Sequence, residues 1–172
     1  VNLDAYARAT SDIVALLVLE HQVEVQNRIS RLNFESRTLL AANSELGSEE
    51  LDTLLRPLLD SLFMVHEAPL TDTIEGSSGY KEYFEQQGPA DAQGHSLRQL
   101  DLATRTFHYP LSYLIYSDAI KALADPVRNR LFAQIKAVLN NTADAVPYPH
   151  INADMRSSIR AILQTTYPEV VQ

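Results

Sequence analysis

The sequence predicts an all-α fold, with five or six helices packed around an antiparallel hairpin of two long ones and ordered loops between the rest. Three observations carry that expectation. Apolar residues recur at helical spacing through most of the chain. No alternating period-two run of useful length appears, so a sheet is not expected. Residues that start and stop helices fall where the periodic stretches begin and end.

The first helix is read over residues 12–43. Ser11 suits its N-cap, Asp12 favours the positive end of the dipole, and Ile13, Leu16, Leu17, Val23, Ile29, Leu32 and Leu39 supply an apolar face. Asn33-Phe34 is its weakest point, because asparagine is a poor interior former. Gly47 suits a left-handed position after the helix end, and Ser48 followed by Glu49-Glu50 opens a second helix over residues 49–66. Its core face is Leu51, Leu54, Leu55, Leu58, Leu59, Leu62 and Phe63. The short connection makes the two helices antiparallel neighbours. Pro57 predicts a kink or break over residues 54–56, and Pro69 marks the exit from helix.

Residues 68–79 read as an ordered loop, followed by a short helix over 80–87 with Ser78 as N-cap and Gly88-Pro89 as its stop. The stretch 88–96, GPADAQGHS, is the most loop-like in the chain. Residues 97–109 fit either a helix capped by Ser96 or an extended segment, since Thr104, Thr106, Phe107 and Tyr109 favour strand geometry. Pro110 can open a helix carrying Leu111, Leu114, Ile115, Ala119 and Leu123. Asp125-Pro126 reads as N-cap and first residue of a helix through Val127, Leu131, Ile135 and Leu139, stopped by Asn140-Asn141. After a stiff Pro147-Tyr148-Pro149 spacer, Asn152 caps a last helix with Met155, Ile159, Ile162 and Leu163, ending before Pro168. There is no fixed-period repeat, and the heptad pattern is not sustained enough for a long coiled coil.

Composition bounds the function. At 172 residues the chain is one domain, and 45% hydrophobic with 21% charged residues is globular composition. A formal net charge of −8 without a Lys/Arg cluster argues against nucleic acid and anionic membranes as partners. The absence of cysteine removes disulfides, thiolate metal sites, a Cys nucleophile and covalent c-type haem attachment from these residues. The longest apolar run, 13–19, is too short to span a bilayer. A chain beginning at Val1 with no basic-then-apolar leader is expected to be a processed protein or part of a longer one.

The polar residues that interrupt apolar helix pattern are the site candidates. Glu20, His21 and Glu24 fall in the first helix, and His66-Glu67 closes the second apolar run. With a bend near Leu46, His21 and His66 come within roughly 7 Å of the same level, with Glu24 nearer still. His21 and Glu24 share one helical face. An imidazole and carboxylate set of His21, Glu24, His66 and Glu67 could hold a divalent metal or share a proton. The plainer reading, a hydrogen-bonded structural pair or a solvated face, is the stronger one. A di-iron centre is not supported, since His21-x-x-Glu24 runs opposite to the Glu-x-x-His such centres need.

Other candidates are weaker. Residues 76–79, GSSG, could offer backbone N–H groups to an anion, but lack the P-loop ending, and a turn is favoured. No Gly-x-Ser-x-Gly elbow is present. Arg98, Asp101, Arg105, His108 and Tyr109 could line a pocket, although an Arg98–Asp101 helical ion pair is the preferred reading. Tyr109, Tyr113 and Tyr116 recur at helical spacing, as a core edge or interface would.

At SDIVALLVLEHQ (11–22), HEAPLTDTIEGSSGY (66–80) and HSLRQLDLATRTFHYPLSYLIYSDAIKAL (95–123), the chain resembles the C-terminal region of a family of uncharacterised exported bacterial proteins whose longer members resemble c-type cytochromes. The likeness runs from Ser11 to about Thr166. It implies a periplasmic or extracellular helical domain packed beside a haem-bearing segment of the parent or a partner protein, with haem c lying outside these cysteine-free residues. It also implies cofactor-binding roles for His21 or His66, either of which could approach the iron as an axial ligand. The expected function is a non-catalytic helical domain of an exported, redox-associated protein. The alternatives are a metal-binding enzyme or sensor using the His/Glu set, and an interaction module whose apolar helical faces join a partner.

Overall fold

The computed structural model describes residues 11–42, 46–142 and 145–172. Six α-helices account for the regular structure of these residues: α1 (Ile13–Ala42), α2 (Ser48–Leu62), α3 (Tyr80–Gln86), α4 (Asp118–Lys121), α5 (Asp125–Asn140) and α6 (Ala153–Thr166). Short 3-10 turns cover Tyr113–Tyr116 and Pro168–Val170. The β structure among the described residues is one isolated antiparallel bridge, Leu100 to Phe107. The fold is therefore all-α. No helix among these residues is long and apolar enough to cross a membrane.

α1 lies along α2, α2 packs on α5, and α5 on α6, so successive helices enclose one core. Glu24 of α1 meets Ser61 of α2 at 3.2 Å, which means that the chain doubles back as the short connection requires. Residues 43–45 lie outside the described residues, as do 1–10 and 143–144.

The first helix matches its expected span, but its rotation does not. Val14, Val18, Val25, Ile29 and Leu32 face the core, whereas Ile13, Leu16 and Val23 are about half exposed. The sequence offers two apolar stripes on opposite sides of this helix, and only packing decides which one turns inward. His21 continues the buried stripe between Val18 and Val25. The N-cap is Asp12 rather than Ser11: its carboxylate accepts from Val14 N at 2.9 Å and Ala15 N at 3.3 Å. The other carboxylate oxygen accepts from the backbone N–H of Ser78 at 2.9 Å and from the Ser78 hydroxyl. Ser78 therefore does not cap α3, whose first turn follows Gly79 in the left-handed region (φ 75°). The anion met by the 76–79 loop is this aspartate of the same chain.

α2 buries Leu51, Leu55, Leu58, Leu59 and Leu62, with Phe63 just after it. Gly47 is its N-cap with extended backbone, not a left-handed residue after α1. The helix runs on through Pro57 without breaking. Its apolar face is packed on both α1 and α5, which compensates for the one lost hydrogen bond. It stops at Leu62 instead of 66 because Met64 adopts a left-handed conformation (φ 58°), letting Met64 N reach Ser61 O and Val65 N reach Asp60 O. Asn141 (φ 52°) ends α5 in the same way, where the sequence places the stop.

Residues 97–109 are neither helix nor strand. Asp101 organises a turn by accepting from Ala103 N, Thr104 N and the Thr104 hydroxyl, and Leu102 takes φ 62°. The 68–79 loop is pinned to this turn through Leu70 N to Thr104 O and Ile74 N to Leu102 O. The helix expected from Pro110 is cut into a 3-10 turn and the single turn of α4. Ser112 and Ser117 each accept a hydrogen bond from a backbone N–H further along, Leu114 and Ile120, and so restart the chain twice. α5 follows Ala124 as N-cap, with Asp125 in its first turn bonded to Arg128. Asn152 caps α6 as expected, accepting from Met155 N at 2.9 Å.

A bidentate link joins α2 to α5: Arg130 Nε and Nη2 donate to the two Asp52 oxygens at 2.6 Å each, and Gln134 Nε2 adds a third bond at 2.9 Å. These donors, Arg130 first, hold the Asp52 carboxyl below the usual carboxylate range. Both charged side chains are about a third exposed, so solvent screens the pair, and Asp52→Ala is expected to cost about 1 kcal/mol in urea denaturation. No change in midpoint would show the link to be without energetic weight.

Candidate functional site

The residues singled out from the sequence meet at one cleft of about 280 Å³ between the N-terminal half of α1 and the segment leaving α2. α1 contributes Leu17, Glu20, His21 and Glu24. α2 contributes Ser61, and beyond it Met64 and residues 66–70 form the opposite wall, with Thr106 at the back. Stopping α2 at Leu62 is what makes this possible, because the chain then turns across α1 and the level mismatch between His21 and His66 no longer matters.

His21 is mostly buried and sits at the inner end. Its Nε2 shares a 2.8 Å hydrogen bond with Ser112 Oγ, and its ring lies 4.7 Å from Phe107 and 6.3 Å from Tyr113. Burial among these rings lowers its pKa from 6.5 to about 4, against the opposing pull of Glu24, so the imidazole is neutral near pH 7. Ser112 is itself fully buried, and its backbone N–H donates to Leu62 O at 2.8 Å.

The carboxylates differ in surroundings. Glu24 is open to solvent and accepts from the Ser61 hydroxyl at 3.2 Å and from Arg28 Nη2 at 3.2 Å. Glu67 is drawn into the wall, where burial raises its pKa against the hydrogen bonds from Thr106 and the charge of Arg105. Glu20 and His66 are exposed at the rim, and His66 also borders a shallower depression shared with Arg28, Asp52, Arg56 and Asp60.

His21, Glu24, His66 and Glu67 therefore line one cleft, but not as metal ligands. Among the described residues no three His, Asp or Glu side chains converge as a metal ion would require. The physical reason is that His21 points inward to Ser112, Glu24 turns to Ser61 and Arg28, and His66 stands in solvent. Haem does not fit inside the cleft either. The volume lies below the range that encloses cofactor-sized ligands, and the Nε2 of His21 faces inward and is engaged by Ser112.

The 98–109 cluster resolves differently from its preferred reading. Arg98 does not pair with Asp101; its guanidinium lies 4.6 Å from the Phe84 ring and 4.4 Å from the Tyr113 ring. Asp101 faces Arg105 at 4.0 Å instead. His108 is exposed. Ser112, Phe107 and Thr106, which hold or wall the cleft, were not indicated by spacing. The one signal for Ser112 is that it is the single serine, a small polar residue, among the aromatic and aliphatic residues of 109–116.

No family model matches the chain, and neither a curated protein nor a solved structure is significantly similar to it.

The neutral His21 predicts a pH dependence. Between about pH 4 and 6.5 the unfolded chain binds a proton at His21 that the folded chain does not, so stability falls as pH drops through that window. The loss is on the order of 2–3 kcal/mol across it. His21→Gln, which removes the titration, is expected to flatten the denaturation midpoint between pH 6.5 and 4.5; an unchanged slope would contradict this.

Proposed function

We propose that the chain is the non-catalytic helical domain of an exported, redox-associated protein, and that the cleft between α1 and the segment after α2 is where it contacts a haem-bearing segment of the parent or a partner. The resemblance to the exported family carries the redox association. The observation that carries the contact is the cleft's make-up: three carboxylates, Glu20, Glu24 and Glu67, surround a narrow opening floored by a neutral imidazole and by Leu17 and Met64. Such a cleft accepts the tip of a Lys or Arg side chain and its aliphatic stem.

In this reading His66 at the rim is the imidazole nearest a docked surface, while His21 shapes the floor. When bound, the haem would supply electron transfer, and the residues of this chain position the segment that carries it. The acidic balance of the whole chain, −8, adds long-range attraction for a basic partner.

The parent protein, produced with a haem-maturation system, is expected to show visible haem absorbance; its absence would remove the redox association. In that parent, Glu24→Gln with Glu67→Gln is expected to weaken docking of the haem segment roughly tenfold at low salt and much less at high salt. A salt-independent result would sink the electrostatic contact while leaving the redox association standing.

A further inference from the structure

His21 touches both the core and the cleft. Its Nε2 is held inside at 2.8 Å by Ser112 Oγ, while its Nδ1 has no partner among the described residues and is not sealed from solvent. Glu24, three residues on, borders the same cleft, and side chains three apart on a helix meet. The imidazole thus has a second partner one turn away, on the open side.

Hydrogen-bond counting makes the inward position selective for a neutral ring. Ser112 Oγ accepts from Leu114 N at 3.2 Å, so its own proton goes to Nε2 in the tautomer that satisfies both groups, with the ring proton on Nδ1. A charged ring carries protons on both nitrogens. The hydroxyl then has to accept twice, and its own proton lacks an acceptor at a fully buried position. Phe107 and Tyr113, the rings beside it there, supply no counter-charge.

The charges around the cleft favour the outward position once the ring is protonated. Glu20 and Glu24 lie on the same helix, and His66 and Glu67 line the facing wall, with the charge of Arg105 acting on Glu67. α2 presents the Ser61 hydroxyl, which is bonded to Glu24, and Arg98 is stacked on the Tyr113 ring. α3 and α4 also touch α1, and there Glu85 is engaged by Leu100 N and Lys121 by Asp118.

We propose that His21 is a two-position switch in the cleft: neutral, it stays on Ser112 and leaves the cleft open to a basic side chain; protonated, it turns out to Glu24 and expels that side chain as the cleft's own cation. The expulsion rests on the docking reading of the cleft, whereas the change of position does not. The inward ring resists a proton down to about pH 4 and an ordinary imidazole takes one near 6.5, so each pH unit between them multiplies the outward share roughly tenfold. Once the outward position prevails, the folded chain holds the proton too, and the loss of stability on acidification stops growing.

NMR of the full chain between about pH 7.5 and 4 tests the switch, with amide dispersion as the check on folding. The contact between the His21 and Phe107 rings, 4.7 Å apart at their centroids, is expected to vanish as His21 titrates while the amides stay dispersed. Glu24→Gln removes the outward counter-charge and is expected to lower the midpoint of that change by a few tenths of a pH unit. A ring that stays on Phe107 through its titration, that takes its proton only as the chain unfolds, or whose midpoint ignores Glu24→Gln overturns the proposal. A tri-lysine peptide reads the consequence: its affinity is expected to fall at least about tenfold between about pH 7.5 and 5 in wild type, and less in His21→Gln. Equal falls in the two chains overturn the expulsion. A peptide that fails to bind even at neutral pH overturns the docking reading, a result separate from the ring's own signal.

Discussion

A single buried hydroxyl organises the centre of this protein. Ser112 holds His21 of α1 through its side chain, accepts Leu114 N to start the 3-10 turn, and gives its backbone N–H to the last carbonyl of α2. Three segments far apart in sequence thus meet at one fully buried polar residue. A buried imidazole without that partner would carry the desolvation cost of an unsatisfied polar group, about 1–3 kcal/mol. With it, His21 sits in the core as a neutral, aromatic-packed residue and sets the inner end of the cleft.

The cleft exists because two chain reversals occur without glycine. Met64 ends α2 and Leu102 shapes the 101–106 turn, both at positive φ. Such conformations are costly for side-chain-bearing residues and persist only where surroundings enforce them. Both are buried, and both neighbour cleft walls: Met64 lines the opening, and the Leu102 turn presents Thr106 and Phe107 behind it. At this same C-terminal end of α2, His150 Nε2 donates to Phe63 O at 2.7 Å and Ser112 N donates to Leu62 O, so the helix terminus is secured from two sides of the molecule.

Much of the fold was legible along the chain. The spans of α1, α3, α5 and α6 follow from local capping chemistry and periodicity, and Asn141 and Asn152 act at their expected boundaries. The site residues were legible as a set, because polar residues inside apolar helix pattern are costly unless partnered, and that made His21, Glu24, His66 and Glu67 conspicuous. Their roles were not. Whether His21 faces a metal or a serine depends on residue 112, ninety-one positions away. The orientation of α1 was equally hidden, since Ile13, Leu16 and Val23 make as good a stripe as Val14, Val18 and Val25.

By itself, then, the sequence determined the helical class, most boundaries, the absence of thiol chemistry and the acidic balance, all of which arise from local backbone preference and composition. Tertiary structure decided which stripe of α1 is core, that α2 stops at Leu62, and that the segment from 110 breaks at its serines. These outcomes turn on long-range partners, such as Ser112 for His21 and Ser78 for Asp12. Contacts between residues so far apart leave no period in the chain, and only the packed core selects them.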